Sequence, residues 1–558
     1  MPLPDKEPSE YGESFTMRNA FWIAALIAVG LLGSGIALRW RASQTPPIIM
    51  VKLDGAATHA VSGRLLVFAT LASTARSLAK DGKVTQVDAD PWHPKRTAVA
   101  AREILRLAPE QPVEIDTDAI AFPEGFSQLP AGEYFLQAVL DQDHNYNYSG
   151  RDTGDLISPV VSVRLPLVLP ATLPLVAVRS NPDPWRLDWE TPEIRADAPE
   201  ARRSTRYLDV TSRLLSTFTG RPIHMRGWVL LPPGYDNGDG ARYPTVYFTH
   251  SYGGDKDSLV DDAVTVHLAM VKGEMPPMIW VFLDQSGATG TNEFANSVNN
   301  GPWGDAITKE LIPELESKYR MDAKPSGRLL TGHSSGGWAT LWLQTQYPKV
   351  FGGTWSTSPD PVDFHDFSGV DIYTRNANFY RRPDGELWPI SRVHFHGEGS
   401  FADAARLERV LGPYGGQVSS YEWVFSPRNV DGTPMLLFDR YSGQIDPQVQ
   451  AYWIEHYDIA RYIRLNWETL KPDLDGKIHI VVGTEDSWYL DGAVHKLKAV
   501  LDGLHARSDI RFLPNKAHMD LYAKGDDPHA LLKEMSKQMY VVARGSASAM
   551  ETRQVEAR

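Results

Sequence analysis

Arg328-Leu-Leu-Thr-Gly332-His-Ser334-Ser-Gly336-Gly-Trp338-Ala-Thr-Leu-Trp-Leu343 decides the fold of this chain. The apolar run before Gly332 reads as a strand and the run after Gly337 as a helix, so Ser334 stands at the apex of a tight strand–turn–helix corner. A Gly-x-Ser-x-Gly frame in that setting is a nucleophile elbow. Glycines flank the serine because the corner strains the backbone and brings strand and helix close together. A side chain at Gly332 or Gly336 would collide. The hydroxyl is thereby raised above the sheet edge. The backbone N–H of Ser335, at the helix start, faces any oxyanion formed there.

Outward from the elbow, strand candidates alternate with helices from about residue 205. Strands are expected over 226–231, 245–249, 278–283, 328–331, 353–356, 477–482 and 510–513. Helices are expected over 305–319, 492–503 and 529–542, the first with Ile307, Leu311, Leu315 and Tyr319 on one face. This is an α/β domain over 205–545 with an open, mostly parallel sheet. The gap at about 361–475 is too long for a loop and reads as a cap insertion with a helix over 449–467. Upstream, strand-like pieces at 48–53, 63–72, 113–116, 133–140 and 160–166 suggest a small antiparallel β-sandwich domain over 48–168. Residues 42–47 (ASQTPP) and the Pro-, Asp- and Arg-rich 169–204 read as linkers.

A chain of 558 residues is too long for one ordinary core and suits this division. Its net charge of -13 argues against a polyanion binder, so no nucleic-acid partner is expected. The absence of cysteine excludes disulfides, thiolate catalysis and Cys-ligated zinc. After an N-terminal tail, 1–20, the uncharged run FWIAALIAVGLLGSGIAL at 21–38 reads as a transmembrane anchor closed by Arg39 and Arg41, with a cleaved signal peptide as the alternative. A signal-anchor layout places the α/β domain outside the cytoplasm, periplasmic or extracellular.

A serine hydroxyl needs a general base, and the base needs an orienting acid. On this elbow the partners follow in the order serine, acid, histidine. Lys477-Ile-His-Ile-Val-Val-Gly-Thr-Glu485-Asp486 runs from strand into acidic loop, making Asp486 the candidate acid, with Glu485 beside it. His518, just past the last strand, is the candidate base. The second oxyanion donor is expected after strand 245–249, at the N–H of Tyr252, with Ser251 the next choice. His333 reads as a packing residue. Asp141-Gln-Asp143-His-Asn145-Tyr-Asn147 alternates oxygen ligands, but it lacks the glycine at the sixth position and the glutamate at the twelfth of a calcium loop, and reads as a polar hairpin tip. His394 and His396 have no third ligand in view. No metal and no cofactor are expected.

Residues 205–545 resemble the esterase D, or putative-esterase, branch of the α/β-hydrolases, which includes enterochelin esterases and the antigen 85 group. The resemblance rests on Gly304-Asp-Ala-Ile-Thr-Lys-Glu-Leu-Ile-Pro-Glu-Leu, Gly332-His-Ser-Ser-Gly-Gly and Phe351-Gly-Gly-Thr-Trp-Ser. Leu129-Pro-Ala-Gly-Glu-Tyr-Phe, Asn296-Ser-Val-Asn-Asn-Gly-Pro-Trp and Tyr452-Trp-Ile-Glu-His-Tyr-Asp are similar to a set of uncharacterised large bacterial esterase-like proteins. It implies a serine esterase that forms an acyl-enzyme on Ser334 and acts on a small-molecule or cell-envelope ester. An acyltransferase with the same triad, or an inactive membrane-tethered binding protein, are the alternatives.

Overall fold

Successive residues of the elbow strand point to opposite faces of a sheet that is covered on both sides. Leu329 packs with Val246, Leu259, Trp280 and Met535 on one face, and Leu330 with Tyr247, Leu311, Leu343 and Phe351 on the other. The computed structural model that shows this describes residues 48–545 apart from 56, 91–92, 110, 238–239 and 394–395. The expected anchor at 21–38 and His394 lie outside the described residues. Among those described, no helix is long and apolar enough to cross a membrane.

The sheet consists of β1 (Thr205–Ser212), β2 (Ile223–Leu230), β3 (Thr245–Thr249), β4 (Ile279–Leu283), β5 (Arg328–His333), β6 (Gly353–Thr357), β7 (Ile478–Gly483) and β8 (Ser508–Leu513). Their order is β1-β2-β4-β3-β5-β6-β7-β8. β1 and β2 join as an antiparallel edge, and from β4 onward every neighbour is parallel. This is the α/β-hydrolase arrangement. Parallel neighbours require crossovers, and the helices Leu259–Val271, Ser335–Gln346, Leu490–Gly503 and Ala530–Arg544 supply layers on the two faces. β1 was not expected from the sequence. As an edge strand it is half exposed and carries Arg206 and Asp209, so it reads like the end of a charged linker.

The expected helix 449–467 is two helices, Pro447–His456 and Ile459–Leu474. Asp458 starts the second by accepting the N–H of Arg461 at 2.8 Å. This second helix is also not cap. Its Ile463, Trp467 and Leu470 bury against Leu341 and Trp342 of the elbow helix and Val494 and Leu497 of Leu490–Gly503. It is the crossover between β6 and β7, so the cap proper ends before it. Periodicity reveals a helix but not the layer to which it belongs.

In the N-terminal region, a three-stranded sheet (Val113–Asp116, Ile48–Leu53, Ala171–Leu175) and a larger one built on Val61–Leu71, Ala98–Leu107 and Gly132–Asp141 share one core. The unit is not wholly antiparallel, because Ile48–Leu53 pairs with Ala171–Leu175 in parallel. Nor is 169–204 a bare linker. It supplies that strand and the helix Pro192–Ser204, whose first turn Thr191 caps. Pro174 obscures the strand in the sequence, and the strand's edge position accommodates it. The outer face of the larger sheet (Leu66, Phe68, Val99, Val139) packs on Leu407, Val410 and Leu411 of the cap helix Phe401–Leu411.

The hairpin tip after Gly132–Asp141 carries one helical turn, Tyr146–Ser149, and docks on two other regions. Tyr148 donates to the Gly254 carbonyl at 2.7 Å, and Asn147 Nδ2 donates to the carbonyls of Glu408 and Gly412 at 2.8 Å. Carboxylate oxygens of Asp141, Asp143 and Asp155 lie within 4.8 Å of one another. Those of Asp141 already accept the N–H groups of His144 at 2.8 Å, Asn145 at 3.3 Å and Tyr146 at 3.1 Å, as a turn cap does. Burial first, then the neighbouring carboxyl groups, raise Asp141 and Asp155 each to about 7. Carboxyls raised above their unfolded values bind more protons in the folded state. Their contribution to stability is therefore full below about pH 3.9 and is lost as pH rises through about 7. Asp155→Asn should flatten the fall in melting temperature between about pH 5 and pH 8. A steeper fall in the variant, followed by calorimetry, would contradict this account.

Candidate active site

Ser334 has φ 57°, a conformation in which a non-glycine residue is strained. The corner is held from three sides. A methyl group at Gly332 would sit 2.4 Å from the Gly336 carbonyl oxygen, and one at Gly336 would sit 2.6 Å from that of Thr249. The N–H of Ser334 donates to the Thr357 carbonyl at 3.0 Å, tying the turn to the end of β6.

Asp486 follows β7 and His518 follows β8, and the two are 0% and 3% exposed. His518 Nδ1 lies 2.8 Å from Asp486 Oδ2, and Asp486 Oδ1 accepts the N–H of Trp488 at 3.0 Å. Burial alone would raise this carboxyl, but the facing imidazole and these hydrogen bonds outweigh it and hold Asp486 below the usual range. Asp486, rather than its half-buried neighbour Glu485, reaches the histidine. With Nδ1 donating to Asp486, Nε2 is the ring nitrogen left for a serine. His333 packs against His518 with ring centroids 4.3 Å apart. It is half-buried, and burial followed by the adjacent His518 pushes it down to about 3. It is neutral near pH 7 and occupies a packing position.

The expected oxyanion donors belong to two elements. Ser335 opens the elbow helix. Tyr252 lies in the loop after β3, and its hydroxyl donates to the carbonyls of Gly415 at 2.6 Å and Asn147 at 3.1 Å. The cap and the N-terminal hairpin therefore both hold the loop that carries its N–H. The Ser251 hydroxyl donates to the His333 carbonyl at 3.0 Å.

Asp360 was missed in the sequence. The Ser334 hydroxyl donates to its Oδ1 at 3.2 Å, and the hydroxyls of Ser335 and Tyr421 both donate to Oδ2 at 2.7 Å. The signal was available: Ser358-Pro-Asp360 follows β6 just as Asp486 follows β7, and both strands end at the edge where ligands bind. A largely enclosed cavity of about 40 Å³ adjoins Ser334 and Asp360. Phe367, Phe379, Phe401, Phe438 and Trp453 from the insertion line it, together with Trp488.

The family described as "Putative esterase" matches residues 216–491. The match covers just under half of the chain. The matched segment holds the elbow, Asp360 and Asp486 and ends before His518. Two curated relatives are Esterase Rv1288 of Mycobacterium tuberculosis strain H37Rv and Esterase MT1326 of strain CDC 1551. Each is 27% identical over 202 residues, covering 33% of this chain and 42% of the relative. The chain thus spans less than half the length of the curated relatives it matches. Among solved structures, a ferulic acid esterase from Anaeromyces mucronatus in complex with ferulic acid aligns at 14% identity and TM-score 0.33, over 61% of this chain and 90% of that one. An S-formylglutathione hydrolase from Agrobacterium tumefaciens aligns at 12% identity and TM-score 0.34, over 61% and 94%.

Proposed function

We propose that this protein hydrolyses carboxylic esters through an acyl-enzyme on Ser334. The observation that carries the reading is the buried His518–Asp486 pair at the same sheet edge as a serine on a glycine-flanked elbow. Ser334 Oγ turns from Asp360 toward His518 and attacks the ester carbonyl while Nε2 takes its proton. Asp486 stabilises the resulting imidazolium and fixes the ring. The N–H groups of Ser335 and Tyr252 receive the oxyanion. The imidazolium then returns its proton to the leaving alcohol, and water repeats the cycle on the acyl-enzyme. A fluorophosphonate reagent should label Ser334, and a panel of acyl and aryl esters should be turned over. Absence of both would refute the proposal. We also place the domain outside the cytoplasm, tethered by the apolar run 21–38; protease accessibility in intact cells tests this.

The cap sets acyl size in this reading, since its aromatic rings wall the cavity beside Ser334. Phe438 is 1% exposed at that wall. Phe438→Ala should shift preference toward longer acyl chains by about tenfold in relative kcat/KM while changing turnover of an acetate ester less. Unchanged chain-length preference would assign the insertion a purely structural role.

A further inference from the structure

We propose that the cavity beside Ser334 selects esters whose short acyl group carries a cationic amine, and that Asp360 binds that amine. The inference rests on the esterase reading above. Asp360 is 3% exposed and lines the cavity together with Ser334. Its Oδ2 receives the hydroxyls of Ser335 and Tyr421, and its Oδ1 receives that of Ser334. When Ser334 turns away to react, Oδ1 loses this donor. A buried carboxylate oxygen without a partner is costly, and an ammonium N–H on the substrate restores the bond in its stronger, charge-assisted form.

The surroundings favour the same charge. The described lining residues include no Lys, Arg or His, but do include Glu408 and Glu422 besides Asp360. Glu422 is neutralised by Arg440, 2.5 Å away. Phe367, Phe379, Tyr421 and Trp453 line the same space, and aromatic rings attract cations. Glu293 is 1% exposed, and its Oε2 has no hydrogen-bond partner, while Oε1 receives the Thr291 hydroxyl at 2.7 Å. Burial, then the charge of Asp360, raises Glu293 well above the usual carboxyl range, and burial raises Asp360 too, against the lowering effect of the hydroxyls of Ser335, Tyr421 and Ser334. A buried anion next to the nucleophile opposes the oxyanion formed during acyl transfer. A substrate cation cancels that opposition, and a neutral acyl group leaves it in place. The volume restricts length: about 40 Å³ holds about three waters on a scale where one needs roughly 10–15 Å³.

The test compares p-nitrophenyl 3-aminopropanoate with its isostere p-nitrophenyl butanoate, each rate divided by its rate with hydroxide. The full chain should favour the amino ester in kcat/KM by about tenfold or more, and Asp360→Asn should bring that ratio close to one. Preference of the wild-type protein for butanoate overturns the proposal, and this arm decides even if the variant does not fold. An unchanged ratio in folded Asp360→Asn removes Asp360 from the role. Turnover of neither ester, with no fluorophosphonate label on Ser334, refutes the esterase reading itself.

Discussion

Ser334→Ala is expected to abolish fluorophosphonate labelling and to lower kcat for ester hydrolysis by about a millionfold, as loss of the nucleophile does in serine hydrolases. The fold should persist. The substitution removes one of the three hydroxyl donors to Asp360 and keeps the backbone that places Ser335 at the helix start. Ser335→Ala is the informative contrast. It also takes a donor from Asp360 but leaves its own N–H and the hydroxyl of Ser334, so covalent labelling should survive. Labelling that persists in Ser334→Ala and vanishes in Ser335→Ala would mean that the neighbouring serine is the nucleophile. Near-ultraviolet circular dichroism of both variants separates loss of chemistry from loss of structure.

Asp486→Asn is expected to reduce kcat by about ten thousandfold with little change in fold. The carboxylate accepts His518 Nδ1–H at 2.8 Å, so it fixes the tautomer that leaves Nε2 free for the serine. An amide at this position can present its N–H to the ring, which reverses the tautomer and removes the charge that steadies the imidazolium. Glu485→Gln should stay within a few-fold of wild type, because Asp486 alone of the two reaches His518. Asp360→Asn should affect turnover of a neutral ester much less than Asp486→Asn. If it were the more damaging change, Asp360 and not Asp486 would be the residue that works through the histidine.

The local pattern alone was sufficient for the elbow. Gly332, Ser334 and Gly336 at fixed spacing between an apolar strand and an apolar helix admit one corner geometry, and the close approaches at both glycines are its steric reason. The parallel strands were legible for a similar reason. β3 to β7 are largely buried on both faces, so they appear as short, mostly apolar runs between turn residues. Asp486 and His518 could be named from chain order, since each lies just beyond such a strand.

Other features depended on contacts between residues distant in the chain. The edge strand β1 and the strand Ala171–Leu175 carry weak signals of their own and are stabilised by their partners. Whether a helix belongs to the cap or to the sheet's outer layer depends on what it packs against, and Ile459–Leu474 packs on Trp342 and Val494. Asp360 looks like any loop aspartate until Ser334, Ser335 and Tyr421 converge on it from the elbow and from the insertion. By itself the sequence determined the strained corner and the order of the groups along the chain, because turn sterics and apolar periodicity act over a few residues. Only the tertiary structure decided which carboxylate meets the serine, which meets the histidine and which rings line the cavity beside the serine, because hydrogen bonding and burial act through space.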